Sequence, residues 1–118
     1  QRVRLALALA QDTSILLLDE PTTYLDIGHQ LEVLELVRRL QHERGLSVVT
    51  VLHDLEQAAR FADRVVALRH GAVHTEGPTA EVVDEELLAA VFGVSGRVWL
   101  DELTGRPLCT YDSVHAEQ

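Results

Sequence analysis

A continuous apolar run at residues 15–18, followed at once by two carboxylates, restricts the fold more than any other feature of the chain. Such a run suits a strand that is buried on both faces, as in a parallel sheet. Residues 46–52 are rich in β-branched side chains and predict a second buried strand. Between the two strands, residues 27–44 predict a helix that ends at Gly45, a residue suited to a helix C-cap. The apolar stripe of this helix is predicted at Ile27, Leu31, Leu34, Val37 and Leu40.

Shorter elements of the same kinds are predicted over the rest of the chain. Asp54 can cap a helix that runs to about Ala62, and Thr79 and Asp84 can each cap a short helix. A further helix is predicted over residues 1–11. Alternating strands and helices predict an α/β fold. Two hairpins are predicted, formed by residues 64–68 with 72–75 and by residues 97–100 with 108–111.

The charge of the chain excludes some classes of partner. With 10 Lys and Arg against 19 Asp and Glu, the net charge is −9 at pH 7, which argues against a nucleic-acid partner. The single cysteine, Cys109, excludes an internal disulfide and suits a reducing compartment. No apolar run approaches the ~20 residues of a membrane span, and no signal peptide is present. The composition therefore predicts a soluble, cytoplasmic chain.

The paired acids, Asp19 and Glu20, stand at the C-terminal end of the first predicted strand. Ligands bind at this edge in open α/β sheets, and adjacent residues there point in different directions. Asp19 would hold Mg²⁺, directly or through water, and Glu20 would polarise an attacking water as a general base. The alternative is a strand end with two solvated acids.

Two further residues follow the same pattern. Asp26 begins the long predicted helix and suits an N-cap. His53 ends the second strand, and it lies beside the paired acids if the two strands are neighbours. It could then contact a γ-phosphate oxygen or the attacking water; the alternative is a structural histidine. The other histidines lack the spacing of a zinc site and are predicted to be solvated, namely His29, His42, His70, His74 and His115.

In order and spacing, these residues resemble the C-terminal half of an ABC ATPase. Asp19 and Glu20 match the Walker B motif with its catalytic glutamate, and His53 matches the switch histidine. Residues 23–26 (TYLD) match the D-loop, which in that family crosses the dimer interface. A narrower resemblance, over residues 23–36 and 71–79, is to the ATPase subunits of bacterial iron–siderophore, haem and vitamin B12 importers.

The resemblance implies a structure, a site and partners. The fold would be part of the parallel sheet of a P-loop NTPase, with flanking helices and a C-terminal hairpin. Two ATPase domains would form a head-to-tail dimer around two ATP molecules with Mg²⁺. Asp19 would serve the Mg²⁺, Glu20 the water and His53 the γ-phosphate, while Asp26 would couple the two sites. The dimer would drive membrane permease subunits from the cytoplasmic face of the plasma membrane.

Several motifs of that family are not found in the sequence. No Gly-x-x-x-x-Gly-Lys-[Ser/Thr] loop is present, and this loop cradles the β- and γ-phosphates. Gln1 and Arg2 resemble the residues just after the LSGGQ signature. We therefore expect residues 1–118 to be the C-terminal part of one ABC ATPase domain that is inactive on its own. Two alternatives remain: a non-transport ABC ATPase that acts on DNA or ribosomes, and a degenerate regulatory module.

Overall fold

A computed structural model describes residues 14–22 and 24–114, which contain six strands and four helices. The predicted helix over residues 1–11 lies outside the described residues, as do Thr23 and His115. By its contacts the chain divides into two compact units, Gln1–His53 and Asp54–Gln118. In chain order the elements are β1 (Ile15–Asp19), α1 (Ile27–Arg44), β2 (Ser47–Val51), α2 (Leu55–Phe61), β3 (Arg64–Arg69), β4 (Ala72–Pro78), α3 (Thr79–Val82), α4 (Glu85–Phe92), β5 (Val94–Leu100) and β6 (Pro107–Val114).

Strands β1 and β2 form a parallel pair in the first unit. Their register runs from Ile15 opposite Ser47 to Asp19 opposite Val51. The pairing continues one residue further, because the Glu20 N–H donates to the Val51 carbonyl at 2.9 Å. Parallel pairing places the carboxyl ends of both strands at the same edge of the sheet. The predicted approach of His53 to the paired acids required the two strands to be neighbours, and this requirement is met.

Helix α1 has the bounds that the sequence predicts. Asp26 caps its N-terminus, and Gly45 ends it in the left-handed conformation at φ 64°, which a glycine adopts without steric cost. Val33 and Val37 pack against Leu16 of β1. Ile27, the first residue of the predicted apolar stripe, is 76% exposed; it is also the first residue of the helix, and Leu25 packs against the cluster instead.

The two faces of the β1–β2 sheet differ in burial. On one face Leu16 is buried, with Leu18 and Val48 packed beside it. The prediction that both faces are buried is therefore wrong for the described part of this unit, where apolar side chains cluster against α1 on one face alone. The exposed face carries Ile15, Leu17, Val49 and Val51.

The second unit surrounds its own apolar core, centred on the fully buried Leu88. Asp54 and Asp84 cap α2 and α4, as predicted. Thr79 is not a cap: it is the first residue of α3, and its hydroxyl donates to the Ala62 carbonyl at 2.7 Å. The core of this unit consists of Leu55, Ala59, Ala67, Val82, Val83, Leu87 and Leu88.

Two antiparallel hairpins complete the second unit. Strands β3 and β4 pair around the His70-Gly71 turn, and β5 and β6 form the terminal hairpin; both are longer than predicted. Arg106, just before β6, donates to the carbonyls of Ala59 and Ala62 at 3.2 and 2.8 Å. These carbonyls belong to the C-terminal end of α2, where backbone acceptors lack helical partners. Arg106 thus fastens the terminal hairpin to α2. Within the described residues, no helix is long and apolar enough to cross a membrane.

Replacing Gly96 by Ala is expected to destabilise the terminal hairpin. A Cβ at this position would lie 2.0 Å from the Thr110 backbone oxygen, where the strand register shifts. Overpacking of this kind costs ~1–3 kcal/mol or more, which corresponds to a drop of several degrees in Tm. Thermal unfolding of the intact protein measures it. Gly28→Ala is the matched control, because a Cβ there would make an ordinary 3.7 Å contact; an equal Tm for both variants would contradict the close approach.

Candidate functional site

The carboxyl edge of the β1–β2 pair brings Glu20 and His53 together. His53 follows β2 by two residues, and its Nε2 contacts Oε1 of Glu20. The His53 side chain is 80% exposed, whereas that of Glu20 is 35% exposed. The contact is an ion pair when the imidazole is protonated and a hydrogen bond when neutral Nε2 carries the proton. Glu20 is therefore the more enclosed partner of this contact, and His53 is the more exposed one.

The backbone of Glu20 has an unusual conformation. Its φ is 50°, in the left-handed region that residues other than glycine adopt rarely. Such conformations persist where the surrounding structure fixes them, and they are frequent at functional sites. Here the hydrogen bond from the Glu20 N–H to Val51 fixes the backbone. The left-handed conformation therefore follows directly after the last residue of β1.

Asp19 is the last residue of β1 and is exposed. Among the residues that the structure describes, no cluster of three or more His, Cys, Asp or Glu side chains could hold a metal ion. Mg²⁺ usually keeps several waters and binds one or two carboxylates together with substrate phosphates. The exposed carboxylate of Asp19 is the type of donor that such an ion binds.

The connection between β1 and α1 has a buried and an exposed part. Pro21 and Thr22 are buried, whereas Tyr24 is fully exposed at φ 70°. The Leu25 N–H donates to the Thr22 carbonyl at 3.3 Å and closes a turn. Thr23, the first residue of the predicted D-loop, lies outside the described residues. Tyr24 is therefore exposed to solvent, while the hydrogen bond between Leu25 and Thr22 closes the turn beside it.

Asp26 caps α1, which confirms the interpretation of this residue as an N-cap. Its Oδ1 accepts from the His29 N–H at 2.9 Å and lies 2.9 Å from His29 Nδ1. The backbone hydrogen bond from His29 is the main cause that holds the pKa of Asp26 below its usual range. The contacts described for Asp26 are to its own helix and not to Asp19, Glu20 or His53.

Two residues of α1 have contacts that the sequence pattern did not predict. His29, predicted to be solvated, is exposed but bonded to Asp26. Gln30 donates through its side-chain Nε2 to the carbonyls of Leu25 and Thr22 at 3.0 and 3.3 Å. The only signal for Gln30 in the sequence is a polar residue in the first turn of an amphipathic helix, and that is too common to be specific.

Comparison with curated proteins finds close relatives over the whole chain. It is 48% identical over 119 aligned residues, 100% of this chain, to the iron(3+)-hydroxamate import ATP-binding protein FhuC of Bacillus subtilis (strain 168). It is 50% identical over 107 residues, 91% of the chain, to the hemin import ATP-binding protein HmuV of Rhodococcus jostii (strain RHA1). The chain spans 44% and 36% of the lengths of these two relatives. No protein-family model matches the chain.

Solved structures give the same result for the fold. An ABC transporter described as of the metal-chelate type, in an inward-facing conformation, matches 95% of the chain and 44% of its own chain with a TM-score of 0.79 at 25% identity. A dimeric ATP-binding cassette, MJ0796, bound to ADP and Pi after hydrolysis, matches 65% of the chain and 33% of its own with a TM-score of 0.60 at 39% identity. The predicted α/β fold of an ABC nucleotide-binding domain is confirmed.

Proposed function

Because the chain belongs to the family of ABC transporter ATP-binding subunits, we propose that the protein containing it hydrolyses ATP to drive import of an iron chelate. The observation that carries the ATPase part is the contact between Glu20 and His53 at the carboxyl edge of two parallel strands. The solute class is supported by the names of the relatives, which import ferric hydroxamate and hemin. Residues 1–118 would supply the C-terminal part of one nucleotide-binding domain.

Glu20 is the general base of this proposal. A water attacks the γ-phosphorus in line with the bridging oxygen, and Glu20 accepts its proton as the bond to that oxygen breaks and ADP leaves. The backbone hydrogen bond to Val51 and the contact with His53 support this role, because they restrict where the Glu20 carboxylate can lie. A base held in this way loses little freedom when the water binds.

His53 would donate a hydrogen bond to a γ-phosphate oxygen. Its side chain is mostly exposed, and it contacts Glu20 through Nε2. A protonated imidazole carries two N–H donors, so in that form His53 could orient the base through Nε2 and reach the phosphate, on which charge develops, through Nδ1. The position of His53 at the carboxyl edge of the two strands, in contact with the proposed base, supports this role.

Asp19 would hold Mg²⁺ together with phosphate oxygens of ATP and water. When bound, the ion neutralises negative charge on the phosphates. The support for this role is the exposed position of Asp19 at the end of β1, next to Glu20 in the chain. Asp19 and Glu20 then have separate tasks, one at the metal ion and one at the water.

Asp26 and the exposed Tyr24 would contact a second copy of the domain. Tyr24 is fully exposed in a left-handed conformation, and Asp26 carries a charge at the start of α1. The dimer of the related cassette with ADP and Pi supports pairing of two such domains, and in this proposal the pair is head-to-tail around two ATP molecules. The pair would act on permease subunits from the cytoplasmic face of the plasma membrane, and closing and opening of the dimer would be coupled to transport.

Disrupting the gene is expected to abolish growth of its host on a ferric siderophore or haem as sole iron source. Growth on an iron salt should stay normal, because the proposed import system serves chelated iron. Complementation with the intact wild-type gene should restore growth, and complementation with the Glu20→Gln variant should not. Normal growth on the chelates with a defect on a different nutrient would contradict the solute class and leave the ATPase assignment intact.

A further inference from the structure

Gln30 links helix α1 to the connection that precedes it in two ways. Its backbone N–H donates to the Asp26 carbonyl at 2.8 Å, the first hydrogen bond of the helix. Its side-chain Nε2 donates to the carbonyls of Leu25 and Thr22 at 3.0 and 3.3 Å. One residue therefore ties three carbonyls of the connection between Glu20 and α1 to the helix.

These contacts act on backbone rather than on side chains. A glutamine amide nitrogen carries two N–H donors, and the two carbonyls use both of them. Thr22 is 7% exposed, and its carbonyl also accepts from the Leu25 N–H at 3.3 Å. Loss of the Gln30 amide would therefore weaken the bonding of the Thr22 carbonyl and remove the bond to the Leu25 carbonyl. The Asp26 side chain is held separately, by His29. Gln30 thus restrains the backbone at Thr22 and Leu25, and His29 restrains the side-chain carboxylate of Asp26.

We propose that Gln30 is a positioning residue for ATP hydrolysis. It restrains the backbone at Thr22 and Leu25, so that the base before them and the interface residues around them keep a fixed relation during turnover. The proposal rests on the proposed function and adds to it a residue whose described contacts are to backbone carbonyls. Its effect is transmitted through the carbonyls of Thr22 and Leu25.

The test compares two glutamines of the same helix in the intact protein. Gln30→Met keeps the length of the side chain and a similar helix propensity but removes both donors. Gln41→Met is the matched control, because Gln41 lies near the other end of α1 and no side-chain hydrogen bond is described for it. For Gln30→Met we expect a kcat for ATP about 10-fold lower and a KM within about twofold of wild type, since small misplacements of reacting groups act on kcat.

A second measurement reports the conformation without any need for turnover. The Leu25 amide is protected by its bond to Thr22, and its hydrogen exchange in the nucleotide-free protein should be at least about fivefold faster in Gln30→Met. Gln41→Met should change neither exchange nor kcat. Unchanged exchange in Gln30→Met would overturn the proposal, and so would faster exchange with wild-type kcat. Undiminished turnover in Glu20→Gln would instead contradict the proposed role of Glu20, while slower turnover in Gln30→Met would still support positioning.

Discussion

Replacing Glu20 by Gln in the intact protein is expected to lower steady-state ATP turnover by ~10²–10⁴-fold, the usual contribution of a general base. Glutamine keeps the size and shape of the side chain but cannot accept the proton of the attacking water. Binding of ATP should survive, because Glu20 is not among the groups proposed to hold the phosphates or Mg²⁺. The closed dimer should therefore accumulate with ATP, the more so because one negative charge near the γ-phosphate is gone.

Turnover assays and gel filtration with ATP measure these two effects. Glu35→Gln is the matched control, because Glu35 is an exposed residue of α1 and the substitution is chemically the same. Surface substitutions of this kind change stability by less than ~0.5 kcal/mol, so the control should have turnover and gel-filtration behaviour close to those of wild type. If Glu20→Gln lowered turnover less than about threefold and trapped no dimer, Glu20 would be a solvated residue at a strand end.

Local signals explain which parts of the fold the sequence could predict. Helix α1 was placed correctly at both ends because Asp26 and Gly45 act through their own backbone neighbours. Thr79 was predicted to cap a helix, but its hydroxyl donates instead to the Ala62 carbonyl, 17 residues away in sequence. Burial of both faces of β1 was also wrong in the described residues, since an apolar run does not show which neighbours are present to cover it.

The same distinction applies to the candidate site. Asp19 and Glu20 were found because they are adjacent and end an apolar strand. The approach of His53 to Glu20 depended on whether two strands pair side by side in parallel, which is a property of topology and is now seen in the register of β1 and β2. The contacts of Gln30 could not be predicted, because hydrogen bonds from one side chain to two backbone carbonyls produce no periodic pattern in the sequence.

Replacing His53 by Ala is expected to lower turnover by about 10²-fold, within the range for groups that orient a base or stabilise transition-state charge. Stability should change little, because the pair is exposed on the His53 side and exposed ion pairs contribute ~0–1 kcal/mol. His42→Ala, an exposed position near the C-terminal end of α1, is the matched control and should keep wild-type turnover.

The contact between the two side chains makes a stronger test possible. If His53 acts largely through Glu20, the two substitutions remove one functional unit, and their effects cannot add. In the Glu20→Gln background, His53→Ala should then lower turnover by less than about fivefold, compared with about 100-fold in wild type. Full additivity would mean that His53 acts on the γ-phosphate independently of the base. An effect below about threefold in the wild-type background would return His53 to a structural role, since that is the range of surface substitutions.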